Sequence, residues 1–262
     1  MITSIQNSKV KLIRGLLSSK KDRDESGLYG IEGVRLAEEA LNAGVQLEFV
    51  LFTNQLSDRG RDVIRSLIAN QFEAEEISSD LMDRISDTQT SQGVLLVVHS
   101  SQARLGDSLS LVLALDKVRD PGNLGTLLRS AAALGVQAVL LTPGSADAYA
   151  PKVLRSGMGA HFKLKIASMS PEEIHTFCKH TNKQLLDILL ADSGKGRICW
   201  EEDLTRPLCL VIGGEAAGAA DDLRQIIDAS VHIPMLDNTE SYNAAVAGSI
   251  LMYETFRQRK VL

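Results

Sequence analysis

The sequence predicts an α/β protein in two parts: a smaller N-terminal α/β domain, and a C-terminal domain built on a largely parallel sheet with helices on both faces. Three observations carry this. Of 262 residues, 44% are hydrophobic but only 4% are aromatic, so Ala, Leu, Val and Ile supply the core, a mix suited to helices packed on a parallel sheet. Short apolar runs alternate with helix-period segments along the chain. A small, polar, aperiodic stretch, Ser100-Ser-Gln-Ala-Arg-Leu-Gly-Asp-Ser108, divides them. The expected boundaries are a domain over 1–100, a linker over 101–108 and a second domain over 109–262.

In the first half, residues 1–24 read as one helix with Val10, Ile13, Leu16 and Leu17 on its apolar face. Tyr29 to Glu32 is a short strand. Gly33 to Leu41 is a helix stopped by Asn42-Ala-Gly44. Leu47 to Phe52 is a buried strand, 57–70 a helix, and Phe72 to Ile77 a strand. A short helix over Ser79 to Ile85, with Ser79 as its N-cap, leads to the strand Gly93 to His99. In the second half the strand Leu109 to Leu115 precedes the loop Asp120-Pro-Gly-Asn123 and a helix over 124–134, stopped by Gly135. Strands follow at 138–142, 162–166, 185–190, 208–213 and 231–233. Helices are expected around 147–158, over 171–182, after Gly213 as far as Asp228, and over 243–258.

No run approaches the roughly 18 apolar residues of a membrane span, and the N-terminus lacks the shape of a secretory signal. Three cysteines (Cys178, Cys199, Cys209) form no C-x-x-C pair, so neither a disulfide framework nor a metal site is expected, and a reducing cytoplasm is the expected compartment. The net charge of −5 argues against a nucleic-acid protein when taken globally. Its distribution argues otherwise. Residues 1–23 carry six cations (Lys9, Lys11, Arg14, Lys20, Lys21, Arg23) against Asp22, a local +5. Such an arm can bind phosphates, although a solvated helix face gives the same pattern.

Three segments can carry chemistry. Asp120-Pro-Gly-Asn123-Leu-Gly125-Thr-Leu-Leu-Arg129 is a turn into a helix, with Asn123 a good N-cap and Arg129 close to two turns further on. Leu208-Cys-Leu-Val-Ile-Gly213-Gly214-Glu215-Ala-Ala-Gly218 is a strand that empties into a glycine-rich turn, at the edge where parallel sheets bind ligands. It is not a dinucleotide fingerprint, because Glu215 stands at the second glycine, and not a P-loop, because Ala219-Ala220 stands where Lys-Ser/Thr belongs. The third is Ile233-Pro234-Met235, followed by Glu240-Ser241-Tyr242-Asn243 at the start of an apolar helix. There hydroxyl, amide and free backbone N–H groups meet at one corner.

In order and spacing, Asn123-x-Gly125-x-x-x-Arg129, Gly213-x-Glu215-x-x-Gly218 and Ile233-Pro234-Met235 … Glu240-Ser241-x-Asn243 resemble the three motifs of the SpoU/TrmH group of SPOUT RNA 2′-O-ribose methyltransferases. Arg155-Ser-Gly-Met-Gly159-Ala160-His-Phe resembles a segment common between the first two motifs. Tyr29-Gly-Ile-Glu32-Gly33-Val-Arg35-Leu with Gln92-Gly93-Val resembles that family's RNA-binding domain, itself similar to certain RNA-binding ribosomal proteins. The chain departs from the pattern at Tyr242, where Leu is usual, and at Ala245, where Ser is usual.

The resemblance implies a trefoil-knotted C-terminal SPOUT domain that holds S-adenosylmethionine in a bent shape. Gly213, Ile233 and Tyr242 would frame this cofactor, with Met235 nearby. It implies methyl transfer to a ribose 2′-hydroxyl with Arg129 the key catalytic residue. Arginine is an awkward general base, so an electrostatic role is the expectation, and the general-base role that the family resemblance implies is the rival. Asn123 would orient Arg129 or the ribose, Glu215 would anchor its loop, and Ser241 and Asn243 would complete the pocket. Lys9, Lys11, Arg14 and Arg35 are the candidate RNA contacts. A homodimer is implied, and the small residues Ala244, Ala245, Ala247 and Gly248 suit close helix packing. Ribosomal RNA of the large subunit is the expected substrate; transfer RNA, or RNA binding without catalysis, are the alternatives.

Overall fold

The computed structural model describes residues 1–100, 105–214, 218–236 and 241–260; residues 101–104 of the expected linker lie outside the described residues. In chain order the first elements are α1 (Ser8–Ser18), α2 (Lys20–Ser26), β1 (Leu28–Glu32), α3 (Val34–Asn42), β2 (Leu47–Phe52), α4 (Asp58–Ala69), β3 (Ala74–Glu76), α5 (Ser79–Ile85) and β4 (Val94–His99). They are followed by β5 (Leu111–Asp116), α6 (Pro121–Ala133), β6 (Ala138–Leu141), α7 (Pro151–Gly157), β7 (Lys165–Ser168), α8 (Pro171–Thr176) and β8 (Asp187–Ala191). The last are β9 (Arg197–Ile198), β10 (Leu208–Gly213), α9 (Asp221–Arg224), β11 (Ala229–His232) and α10 (Ala244–Lys260).

Chain contacts sort into two units, Met1–Ser101 with Tyr149–Phe162, and Gln102–Ala148 with Lys163–Leu262. In the first, four strands lie in the order β1-β4-β2-β3, with β4 antiparallel to both neighbours. Strand alternation sends side chains to opposite faces. Tyr29, Ile31, Val50, Leu96 and Val98 pack with α3 and α4 residues on one face, and Phe49, Leu51, Leu95 and Val97 with α1 and α5 residues on the other. The single helix expected over 1–24 is two, because Ser19 is extended (φ −123°, ψ 118°) and its side chain caps α2 at the Asp22 N–H. The N-cap of α5 is Ser78 rather than Ser79: its hydroxyl accepts from the Leu81 N–H.

Among the described residues the second unit has a sheet of seven strands, all paired in parallel, in the order β7-β6-β5-β10-β8-β11-β9. One face buries Val112, Ala114, Leu140, Ile188, Leu190, Cys209 and Val211 against Ile174, Phe177 and Leu223. On the other, α6 and α10 lie side by side and run the same way, with contacts at Asn123–Asn243 and Ser130–Ser249. Gly248 permits this approach: a Cβ there would stand 2.4 Å from Leu127 Cδ2. The cysteines are all buried free thiols.

Several boundaries differ from the expectation. The N-cap of α6 is Asp120, not Asn123. The Asp120 carboxylate accepts from the Asn123 N–H at 2.8 Å and Pro121 takes the first turn, so the helix starts three residues early. The expected strand 162–166 sits at Lys165–Ser168, and the helix expected over 171–182 ends as a π turn, Phe177–Thr181. The helix expected to reach Asp228 stops at Arg224.

Candidate active site

In the second unit a cavity of about 400 Å³ opens at the carboxyl ends of β10, β8 and β11, three neighbours in the sheet. Its position follows from topology. In a parallel sheet every strand delivers its following loop to the same edge, and there the turns after β10 and β11 meet. Gly213 and Gly214 come from the first turn, Ile233 and Met235 from the second, and Ser241 and Tyr242 from the corner before α10. Thus Gly213, Ile233, Met235, Ser241 and Tyr242 line one space.

The glycine turn has little room. A Cβ on Gly213 would stand 2.4 Å from the Ala219 nitrogen and 2.4 Å from the Gly218 carbonyl carbon, because the described ends of the turn fold onto each other. On Gly214 it would meet the Lys117 carbonyl oxygen at 2.6 Å. The wall is therefore bare backbone, able to present N–H and C=O groups directly to a ligand.

Asn243 caps α10. Its Oδ1 accepts from the Ala245 N–H at 2.9 Å, and its Nδ2 donates to Asn123 Oδ1 at 3.1 Å. The first and third motifs therefore meet through a side-chain hydrogen bond. Arg129, further along α6, is exposed; among the described residues its guanidinium has no hydrogen bond or ion pair and does not line the cavity. Glu215 lies outside the described residues, as does Glu240.

The cations of the first unit divide. Lys9 is tied to Glu73 and Glu75 and lies over the Phe49 ring, so its charge is used within the unit. Lys20 pairs with Asp24, Lys21 with Glu25, and Arg23 is buried, its guanidinium donating to the Leu16 carbonyl. Lys11 and Arg14, one turn apart on α1, are exposed without an ion pair among the described residues. Arg35 is exposed at the start of α3 and lines a separate cavity of about 270 Å³ with Gln92 and Arg155. Gln92 is fixed there by accepting from the Val34 N–H at 2.8 Å.

The profile of the SpoU rRNA methylase family matches residues 110–253, more than half of the chain. The chain belongs to the SpoU rRNA methylase family. Residues 7–96 match the MRM3-like substrate binding domain. The chain is 32% identical over 253 residues to the 23S rRNA (guanosine(2553)-2′-O)-methyltransferase RlmP of Bacillus subtilis, covering 96% of this chain and 97% of that one. It is 29% identical to a 23S rRNA (uridine(2479)-2′-O)-methyltransferase of Streptomyces viridochromogenes, over 98% of this chain and 92% of that one. Among solved structures it resembles the SpoU methyltransferase AviRb from Streptomyces viridochromogenes in complex with AdoMet, with a TM-score of 0.84, 28% identity and coverage of 98% and 100%.

The cavity also holds residues that the sequence motifs did not point to. The end of β8 supplies Ala191, Asp192 and Ser193 to the cavity. Asp192 accepts from Arg224 Nη1 at 2.9 Å, and Arg224 Nε donates to the Ala219 carbonyl at 3.0 Å. A signal existed: the expected strand Leu185–Leu190 leads into Ala-Asp-Ser-Gly, at the same edge as the glycine turn.

Proposed function

We infer that this chain is an S-adenosylmethionine-dependent methyltransferase that acts on a ribose 2′-hydroxyl of large-subunit ribosomal RNA. The observation that carries this reading is the convergence of Gly213, Ile233, Met235, Ser241 and Tyr242 on one cavity in a SpoU chain. The cavity's size lies within the roughly 300–1,000 Å³ typical of small-molecule sites. Its bare-backbone wall at Gly213 and Gly214 fits a nucleoside whose flat base packs against main chain and is read by peptide N–H and C=O groups.

S-adenosylmethionine supplies a methyl on a sulfonium, which needs no acid to leave. What remains for the protein is alignment and charge. Gly213, Ile233, Met235 and Tyr242 would hold the cofactor, and Ser241 with Asn243 would close the pocket. Asn123, held by Asn243, places the ribose or Arg129. These residues would present the methyl that S-adenosylmethionine supplies to the ribose oxygen, and the hydroxyl proton would pass to water. Arg129 stabilises the oxygen as it gains negative charge and pairs with an RNA phosphate. A guanidinium keeps its protons in proteins, so Arg129 serves as a cation rather than as a base.

Residues 1–100 bind the RNA, through Lys11, Arg14 and Arg35, and 109–262 carry the chemistry; the two matched profiles, over 7–96 and 110–253, support this division. The trefoil threading belongs to the same reading. It is supported by a parallel sheet in which β10 lies between the earlier strands β5 and β8. The protein works as a homodimer in the cytoplasm. An apolar depression on α10 and α6, bordered by Thr126, Val246, Ile250 and Tyr253, supports pairing, with Val246 47% and Tyr253 58% exposed. Among the described residues no helix is long and apolar enough to cross a membrane.

The test is radiolabelled methyl transfer from S-adenosylmethionine to ribosomal RNA and, separately, to transfer RNA, with Arg129→Ala as control. Label in large-subunit RNA that disappears with Arg129→Ala is expected. Label in transfer RNA alone overturns the substrate, and cofactor binding without any label overturns the reaction.

A further inference from the structure

Asp116 ends β5 and stands beside Gly213 in the parallel ladder, yet it does not line the cavity. It is 1% exposed, and no cation pairs with it among the described residues. A buried carboxylate without a counter-ion persists only where hydrogen bonds replace its water. Two do so. Thr142 Oγ1, just past β6, donates to Oδ1 at 2.6 Å, and the Ala220 N–H donates to Oδ2 at 2.8 Å. Thr142 Oγ1 in turn accepts from the Lys117 N–H at 3.1 Å. Lys117 has φ +53°, a left-handed conformation that costs a non-glycine residue energy, and its carbonyl lies directly against Gly214.

One carboxylate thus ties the ends of β5 and β6 to the exit of the glycine turn. The same exit is held from the cavity side, where Arg224, docked on Asp192, donates to the Ala219 carbonyl. Two successive backbone groups, Ala219 C=O and Ala220 N–H, are therefore fixed from opposite directions. This matters because glycine backbones are the costliest to order. If Gly213, Gly214 and Gly218 had to be ordered by the ligand, that entropy would be subtracted from its affinity.

We propose that Asp116 is a positioning residue for the methyl donor: from outside the cavity it pre-orders the described ends of the glycine turn, Gly213–Gly214 and Gly218–Ala220, by holding the Ala220 amide and Thr142 with its two oxygens. The proposal rests on the reading of this cavity as the S-adenosylmethionine site. Its contribution is made in the free protein, before any ligand arrives, and it falls on cofactor affinity rather than on the chemical step.

The experiment uses the full chain with Asp116→Asn and, separately, Thr142→Val, a near-isosteric change that puts a methyl where the hydroxyl stood and leaves Asp116 Oδ1 and the Lys117 N–H without it. Calorimetry reads the S-adenosylmethionine dissociation constant, and amide hydrogen exchange reads Gly218 and Ala220 in the ligand-free protein. Asp116→Asn presents one oxygen where two are needed, so the dissociation constant should rise by about tenfold to a hundredfold, the scale of a buried hydrogen bond to a charged group. Ala220 exchange should accelerate, while kcat at saturating cofactor and RNA affinity stay within about threefold of the parent. Thr142→Val should shift the same readouts the same way by a smaller factor, and it carries the test alone should Asp116→Asn fail to fold. Unchanged cofactor affinity in a folded variant overturns the proposal, whether or not Ala220 exchange quickens. So does a parallel loss of RNA affinity and thermal stability, which would mark a general folding role. A parent protein that binds no S-adenosylmethionine overturns the reading of the cavity itself, a failure distinct from these.

Discussion

The cavity of the second unit and the cationic surface of the first are built on opposite principles. The cavity is made of backbone: three strand ends and a glycine turn so close that a single methyl group does not fit at Gly213. The surface is made of long side chains on helices, where a cation serves RNA only if no neighbouring carboxylate has taken it. A backbone site tolerates almost no substitution at its closest points and announces itself in sequence as Gly, Pro and small residues at fixed spacing. A surface site spreads its energy over several replaceable charges. The variants below probe that contrast, from the largest expected effect to the smallest.

Gly213→Val should leave no measurable S-adenosylmethionine binding, a loss beyond about a hundredfold, because the new side chain meets the Ala219 nitrogen and Gly218 carbonyl carbon, which are backbone and cannot swing aside. Calorimetry checks it; binding within threefold of the parent would mean that the cofactor does not use this wall. Arg129→Ala should lower kcat by about a hundredfold to a thousandfold, the scale for removing a group that stabilises developing negative charge. Cofactor affinity should hold, since Arg129 does not line the cavity. A cofactor affinity that falls with kcat would move Arg129 from the chemical step to binding.

The same contrast explains what could be read from sequence. The strands β5, β6, β8 and β10 and the second half's parallel sheet were legible because buried strands are short, mostly apolar runs and β/α alternation fixes parallel pairing. The cavity was legible because Gly213, Pro234 and the Ser241–Asn243 corner are demanded locally. Less legible was whatever depends on a partner far along the chain. Asp120 and Asn123 are both good caps, and only Pro121 occupying the first turn decides for Asp120. β9 is two residues long and exists through pairing with β11. In sequence Asp116 is only a polar residue after an apolar run, and its meaning appears with Thr142, 26 positions on, and Ala220, 104 positions on.

On the first unit, Lys11→Gln and Arg14→Gln should each weaken ribosomal-RNA binding severalfold. Each should reduce the slope of log affinity against log salt by about one, as expected for one lost phosphate contact, while cofactor affinity is untouched. Filter binding across a salt series reads this. A slope that stays at the parent value in the double variant would remove this face of α1 from the RNA interface and leave Arg35 as its remaining cation.

Lys9→Gln is the sharpest comparison because sequence gives Lys9 and Lys11 the same standing, while the fold separates them. Lys9 is spent on Glu73 and Glu75, so its loss should leave the salt slope unchanged and cost stability instead. The cost should be about 1 kcal/mol or less, because Glu73 and Glu75 are 60% and 38% exposed and water screens the pairs. Its pH dependence has a definite sign. Burial pulls the Lys9 pKa down, but hydrogen bonds and charge attraction from both glutamates outweigh it, and the net shift is upward from 10.5. A raised pKa stabilises the fold fully below the unfolded-state value and is lost as pH climbs through the folded-state value. The Tm difference between parent and Lys9→Gln should therefore be constant through neutral pH and close above pH 10.5. A Lys9 variant that instead loses RNA affinity with unchanged Tm would show that RNA displaces the two glutamates, and that the pairing is a resting state of the surface rather than its withdrawal from function.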